Sequence, residues 1–193
     1  MTINQLSLDS NKTWKLVDER LAVETDPVVR RNLALVSQHM KAEARGDIEG
    51  VLETLCENPI YRQNFPGGFD IVAEGTKQPV REFYNAGLVE SGAHRLEFDV
   101  IALVADQGAV YTEGHYLQAF PGRTLQAMGI EVDDPDAFYA AEADMVILWP
   151  RDADTGLLRG EEIWMDRDMF AAIADRKIES FAELSITPAL AQA

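Results

Sequence analysis

Between Val36 and Leu88 the sequence reads as a helix, a strand and a second helix whose polar side chains point toward one place. The opening stretch, VSQHMKAEARGDIEGVLETL, sets Val36, His39, Met40 and Glu43 on one helical face, because residues three and four apart are neighbours on a helix surface. An ordinary core stripe would carry Leu or Ala at 39 and 43. A titratable pair there is either a costly buried polar contact or part of a site. Gly46-Asp47 breaks this helix, and IEGVLETLC restarts one over 47–56. Ile60 to Phe65 alternates as a strand, Pro66-Gly67-Gly68 turns, and a further helix spans 76–90.

Around this run the signals are simpler. Trp14, Val17 and Leu21 recur at helical spacing, predicting an amphipathic N-terminal arm over 1–26. Asp26-Pro27 is a helix start, since Asp caps free amides and Pro suits the first turn. Arg95 to Ala105 and Ala109 to Phe120 alternate as strands around the turn Asp106-Gln107-Gly108. Met145 to Trp149 and Leu158 to Met165 supply two more. Helices first and then a meander of strands predict an α+β domain over 27–170, one curved antiparallel sheet with helices on one face. The segment 171–193 begins helically and ends in a Pro-containing tail. Pro121 to Ala141 is too long for a hairpin and carries Leu125, Met128, Ile130, Phe138 and Tyr139, so it is expected to cover a cavity mouth or a subunit contact.

Composition narrows the partners. At 193 residues and 47% apolar content the chain supports one real core. A formal charge of −16 without a Lys/Arg cluster excludes the electrostatics that nucleic-acid binding needs. No stretch has the length of a membrane span, and the N-terminus lacks a signal-peptide pattern, so the expected location is cytoplasmic. Cys56 is the one cysteine, read as a small hydrophobe on the second helix. His39, His94 and His115 lack metal-ligand spacing, and the sequence predicts neither metal nor cofactor. A small molecule is the expected ligand, and a homodimer or homotrimer is expected because the outer sheet face carries apolar residues.

The words Ala44-Arg45-Gly46-Asp47, Pro59-Ile60-Tyr61, Glu74-Gly75-Thr76, Val80-Arg81-Glu82-Phe83-Tyr84 and Gly160-Glu161-Glu162-Ile163-Trp164-Met165-Asp166, in that order, resemble the nuclear transport factor 2-like superfamily, its SnoaL-like branch above all. The resemblance covers most of Pro27 to Phe170. It implies a cystatin-like cone-shaped barrel, its curved antiparallel sheet closed by the N-terminal helices. The superfamily holds isomerases, dehydratases, cyclases, lyases, epoxide hydrolases and binding modules, so fold does not decide function.

On that resemblance His39 falls where ketosteroid-isomerase-like members keep an oxyanion-binding tyrosine, with Glu43 one turn on to orient it. Tyr61 matches a tyrosine that polarises substrate in scytalone-dehydratase-like members. Gln63 falls where isomerases keep their general-base Asp. Asp144 falls within a residue or so of their protonated Asp. Register with Ile163 turns Glu161 inward, where an apolar surround would raise its pKa. The epoxide-hydrolase triad positions read Gly114, Tyr116 and Ile163, which disfavours that chemistry. The expected catalytic set is therefore His39, Glu43, Tyr61, Tyr116, Glu161 and Asp144. Gln63, Phe65, Tyr84, Phe98, Gly114 and Ile163 are expected to line the substrate, with Gly114 leaving room for a ring.

This equipment suits a cofactor-independent acid–base enzyme acting on an oxygenated, aromatic or polycyclic molecule by dehydration, isomerisation, cyclisation or retro-aldol cleavage. Release of formaldehyde from a lignin-derived aromatic dimer, an activity within the superfamily, is one such case. The alternatives are a non-catalytic binding or assembly module, or an epoxide hydrolase with a different constellation.

Overall fold

The first long helix is written by its ends. In the computed structural model of the protein, which describes residues 2–65, 68–89, 92 and 94–182 (with the side chains of 65 and 68–72 outside that description), helix α2 spans Pro27–Arg45. Asp26 accepts from the amides of Val28 and Val29 at 2.8 and 3.1 Å, and Gly46 takes the left-handed conformation (φ 69°) that terminates it. Its buried Val29, Leu33, Val36 and Met40 form the stripe that faces the sheet. Before it, α1 spans Lys12–Val23; after it come α3, Ile48–Glu53, and α4, Lys77–Tyr84, which continues as a π-helical turn through Val89.

The strands are β1 (Leu55–Phe65), β2 (Gly68–Glu74), β3 (Arg95–Ala105), β4 (Ala109–Pro121), β5 (Phe138–Pro150), β6 (Leu158–Met165) and the two-residue β7 (Lys177–Ile178). They form one sheet in the order β2-β1-β6-β5-β4-β3, with β7 on β5. All described pairs are antiparallel except β1 with β6, which run parallel. The sheet curves round the helices without closing: β2 and β3 remain edges, so the expected barrel is an open cone. The edge of β3 is covered by the N-terminal segment. Ser10 Oγ donates to the Leu96 carbonyl at 2.6 Å, and Thr13 Oγ1 accepts from the Phe98 amide at 3.0 Å.

Three differences from the sequence reading have local causes. The second helix stops at Glu53, because Leu55 already pairs with Leu158 of β6; Cys56 is buried in β1 and not on a helix. Strand β5 begins at Phe138, so the last four residues of the expected insertion belong to the sheet, and α5 (Gly122–Ala127) occupies its start. After 171 the described residues hold a 3-10 turn at Ile173–Asp175 and β7 in place of a helix. Residues 183–193 lie outside the description. The N-terminal arm is built into the domain: Trp14 and Val17 join the main core, and Ile3 and Leu6 bridge to Ile178 and Phe181.

The main core lies between the helices and the concave face of the sheet. A second cluster continues along that face, where Phe120, Tyr139 and Ala141 meet Leu125 and Ile173. A third sits on the convex face, where Leu6, Leu8 and Ile178 cover Ala119 and Ala140.

Candidate active site in the cone

Strand register gathers the polar groups. Tyr61 pairs with Glu161 and Gln63 with Ile163 across the parallel β1–β6 ladder, so these four side chains share the concave face. Gly160 permits that approach: a Cβ there would sit 2.0 Å from the Ile60 carbonyl oxygen, and its φ of 124° excludes most other residues. From the helical side α2 brings His39 and Glu43, and α4 brings Tyr84.

The result is a buried hydrogen-bonded cluster. His39 Nε2 lies 2.9 Å from Glu161 Oε1, 3.2 Å from Tyr84 Oη and 3.4 Å from Tyr61 Oη. Tyr84 donates to the same Glu161 oxygen at 2.8 Å. His39 Nδ1 meets Thr54 Oγ1 at 2.7 Å. The indole of Trp149 packs edge-on against the imidazole, centroids 5.3 Å apart, and fixes its plane. His39, Tyr61, Tyr84, Thr54 and Glu161 are all buried.

Glu43 stands apart from this ring of bonds. No hydrogen bond joins it to His39, so the imidazole is oriented by Thr54 and Glu161 and not, as expected from the helix spacing, by Glu43. Burial of the carboxyl, reinforced by the like charge of Glu161, pushes its pKa well above the ordinary carboxylate range. Glu43 thus holds a proton where an exposed carboxyl would have released it. Burial also raises Tyr61 and Tyr84 well above the usual phenol value, with Glu161 as the next cause, so both remain O–H donors. Burial likewise raises Tyr116 well above the usual phenol value, and its ring packs against Phe98. Its hydroxyl donates to Gln118 at 2.5 Å.

Ligand atoms of His39, Glu43 and Glu161 lie within 4.8 Å of one another, a donor set that divalent cations also use. Within that set Nε2 and Glu161 share a hydrogen bond, and Glu161 is further occupied by Tyr84.

The other expected residues fall in different places. Gln63 is half-buried on the same face as Tyr61, Phe98 and Ile163 are buried wall, and Tyr84 is a member of the polar cluster as well as wall. The Phe65 side chain lies outside the described residues. Asp144 is not in the cone: it projects from the convex face and bonds His115 Nδ1 at 2.5 Å. Its inward-facing neighbours on β5 are the buried Ala143 and Met145, so no carboxyl comes into the site from that strand. Gly114 is inward, but it leaves no space for a ring, since a Cβ would meet the Asp99 carbonyl oxygen of β3 at 2.3 Å. His94 is exposed. Thr54 and Trp149 carry no motif and were not expected here.

The insertion packs on the concave face one step beyond Tyr116 and Gln118. Leu125 and Tyr139 are buried, Ile130 is half-buried and Met128 is exposed. Tyr139 anchors it through its hydroxyl, which donates to Asp133 and accepts from the Asp134 amide at 3.0 Å. Two surface hollows, of about 570 and 400 Å³, lie away from the cone, one on the insertion beside Ala174 and one between α1 and α2.

No protein-family profile matches the sequence, and no curated protein matches it. The architecture, in contrast, has solved counterparts. A protein from Shewanella putrefaciens, described as a SnoaL-like polyketide cyclase, superposes over 83% of this chain and 93% of its own with a TM-score of 0.61 at 12% identity. One from Shewanella denitrificans with the same description covers 78% and 98%, TM-score 0.59, at 15% identity. An epoxide hydrolase of the limonene-hydrolase type from M. tuberculosis covers 78% and 94%, TM-score 0.54, at 15% identity. The chain therefore shares the fold of these proteins, a curved sheet wrapped round N-terminal helices.

Proposed function

We propose that this protein is a cofactor-independent enzyme that moves protons on a small, neutral, oxygen-bearing molecule bound in the cone. The observation that carries this reading is geometric: the carboxyl of Glu43 lies within 4.8 Å of the ligand atoms of a hydrogen-bonded His39–Glu161–Tyr84 group inside apolar walls, where burial raises its pKa. Glu43 serves as the acid, giving its proton to a leaving or developing oxygen. His39 with Glu161 serves as the base. Tyr61 polarises a carbonyl or hydroxyl, while Tyr84 holds Glu161 and Tyr116 lends its ring to the wall, and positioned acid–base groups of this kind contribute about a hundred- to ten-thousand-fold. The neighbouring charge that shifts Glu43 is negative, and no described Lys or Arg offsets it. An anionic substrate would be repelled, which favours a neutral one. Phe98, Ile163 and the tyrosine rings suit an aromatic or polycyclic body.

Dehydration, isomerisation, cyclisation and retro-aldol cleavage all fit this equipment, the last including release of formaldehyde from a lignin-derived dimer. The cyclase and epoxide-hydrolase descriptions of the structural neighbours support small-molecule chemistry in this fold. A panel of β-hydroxy carbonyl compounds and lignin-type aromatic dimers, followed for loss of water or formaldehyde, tests the reading. Turnover that vanishes in Glu43→Gln and in His39→Gln supports it; turnover indifferent to both rejects it.

One observation favours a second reading, a non-catalytic binding module: His39, Tyr61, Tyr84, Thr54 and Glu161 satisfy one another, with Glu43 outside their hydrogen bonds. Ligand capture without product across the panel would select it.

We further infer a homodimer through the convex face. Trp164, Ile101 and Val104 are 40, 57 and 66% exposed there, and Trp164 pairs with Val146 while Val104 lies across from Tyr111. A second copy of the same face would cover this strip.

A further inference from the structure

The protons around Thr54 decide which nitrogen of His39 does the work. Thr54 closes α3, and its hydroxyl oxygen lies 2.6 Å from the Val51 carbonyl oxygen. Two oxygens that close need a hydrogen between them, and the carbonyl can only accept, so the single hydroxyl proton is committed to Val51. The same Thr54 oxygen is 2.7 Å from His39 Nδ1. With no second proton to give, it accepts there, and Nδ1 carries the hydrogen. Were the hydroxyl turned toward Nδ1 instead, two sets of oxygen lone pairs would face each other at 2.6 Å.

We propose that Thr54 is a positioning residue that locks His39 in the Nδ1–H form and so assigns Nε2 as the nitrogen that exchanges a proton in the cone. This rests on the acid–base reading of His39. The 2.9 Å contact between Nε2 and Glu161 then holds one proton, on the nitrogen or on the carboxyl, and that proton is the one the site can hand over or take back. Thr54 itself is fully buried, and its carbonyl accepts from the Leu158 amide at 2.9 Å, so it is anchored between α3 and β6 and does not reach a ligand. The conformation of a helix end thereby sets the tautomer of a side chain on another helix.

Ring-nitrogen NMR of protein labelled with 15N-histidine tests this without a known substrate. The chain has three histidines, and His39→Gln identifies the signals of His39. The expected wild-type spectrum shows a directly bonded hydrogen on Nδ1 that exchanges slowly with water. In Thr54→Val that Nδ1–H signal is lost or averaged; in Thr54→Ser it returns. A bare Nδ1 in the wild type, or an Nδ1–H unchanged in Thr54→Val, overturns the proposal. The wild-type spectrum decides alone if the valine variant does not fold. With a substrate in hand, Thr54→Val should lower kcat at least tenfold at unchanged KM, with Ser restoring it. A locked tautomer in an enzyme indifferent to His39→Gln would sink the acid–base reading and leave the lock standing.

Discussion

Among the described residues two histidine–carboxylate pairs occur, and they could hardly be placed more differently. His39 and Glu161 meet at 2.9 Å inside the cone with side chains 0 and 5% exposed; His115 and Asp144 meet at 2.5 Å on the convex face with side chains 64 and 56% exposed. The shorter contact is the weaker one. In water the attraction between exposed groups is screened, and such pairs are worth about 0–1 kcal/mol. Inside the protein each partner has surrendered its hydration, so removing one leaves the other stranded at a cost of about 3–5 kcal/mol. Surroundings, not separation, distinguish a site from surface decoration here.

The largest expected effect follows directly. Glu161→Ala leaves His39 Nε2 and the Tyr84 hydroxyl without their shared acceptor, and should cost about 3–5 kcal/mol in urea unfolding while abolishing turnover. Asp144→Ala should change stability far less. Equal losses at the two positions would break the comparison, because they would mean that burial does not separate the pairs.

A pH experiment sharpens it. Because the Glu43 pKa is raised on folding, the native protein holds a proton that the unfolded chain has already released. Glu43 therefore favours the folded state fully below the ordinary carboxylate range. That contribution is lost as pH rises toward the elevated value, with a slope of up to about 1.4 kcal/mol per pH unit. In Glu43→Gln this slope should disappear, so the variant gains on the wild type in unfolding experiments as pH rises above the ordinary carboxylate range. Parallel stability curves would show that Glu43 ionises as it would in solvent, and would remove the acid from the proposed mechanism.

The two pairs also show what a sequence of this kind discloses. Helix α2 was legible because Asp26-Pro27 and Gly46 mark its ends, the β3–β4 turn because Asp106-Gln107-Gly108 marks it, and β3 because Leu96, Phe98 and Val100 alternate before its register shifts. Asp144 illustrates the opposite case: a strand reverses side-chain direction at every residue, so a placement good to one residue leaves the face undecided. The inward turn of Glu161 was readable only through its register with Ile163. Thr54 was invisible because the run LETLC suits a helix, and only the pairing of Leu55 with Leu158 ends that helix in time to leave Thr54 at its C-terminus. Gly114 looked like space for a ligand, whereas its missing Cβ is filled by the backbone of β3, a long-range approach that local sequence does not encode.

A smaller effect is expected where the convex face is apolar. Trp164→Glu puts a charge into the strip that also holds Ile101 and Val104, and should convert a dimer into monomer in light scattering at micromolar concentration. The urea midpoint of the monomer should move little, since Trp164 is not part of the core. A wild type that is already monomeric at that concentration refutes the dimer.

The smallest effect belongs to His115. It stands between Asp99 of β3 and Asp144 of β5 in a row across three strands, with solvent on the far side. His115→Ala removes one exposed partner and little packing, so unfolding free energy should change by no more than about 0.5 kcal/mol, and the change should shrink further in high salt. The measurement also probes the dimer proposed above. If the convex face is covered by a second copy, His115 and Asp144 lose water on assembly, and the cost of the substitution should grow with protein concentration. A loss that stays large at nanomolar concentration, where copies separate, would place this pair energetically beside His39 and Glu161. The contrast between the two would then reduce to chemistry that only the cone performs.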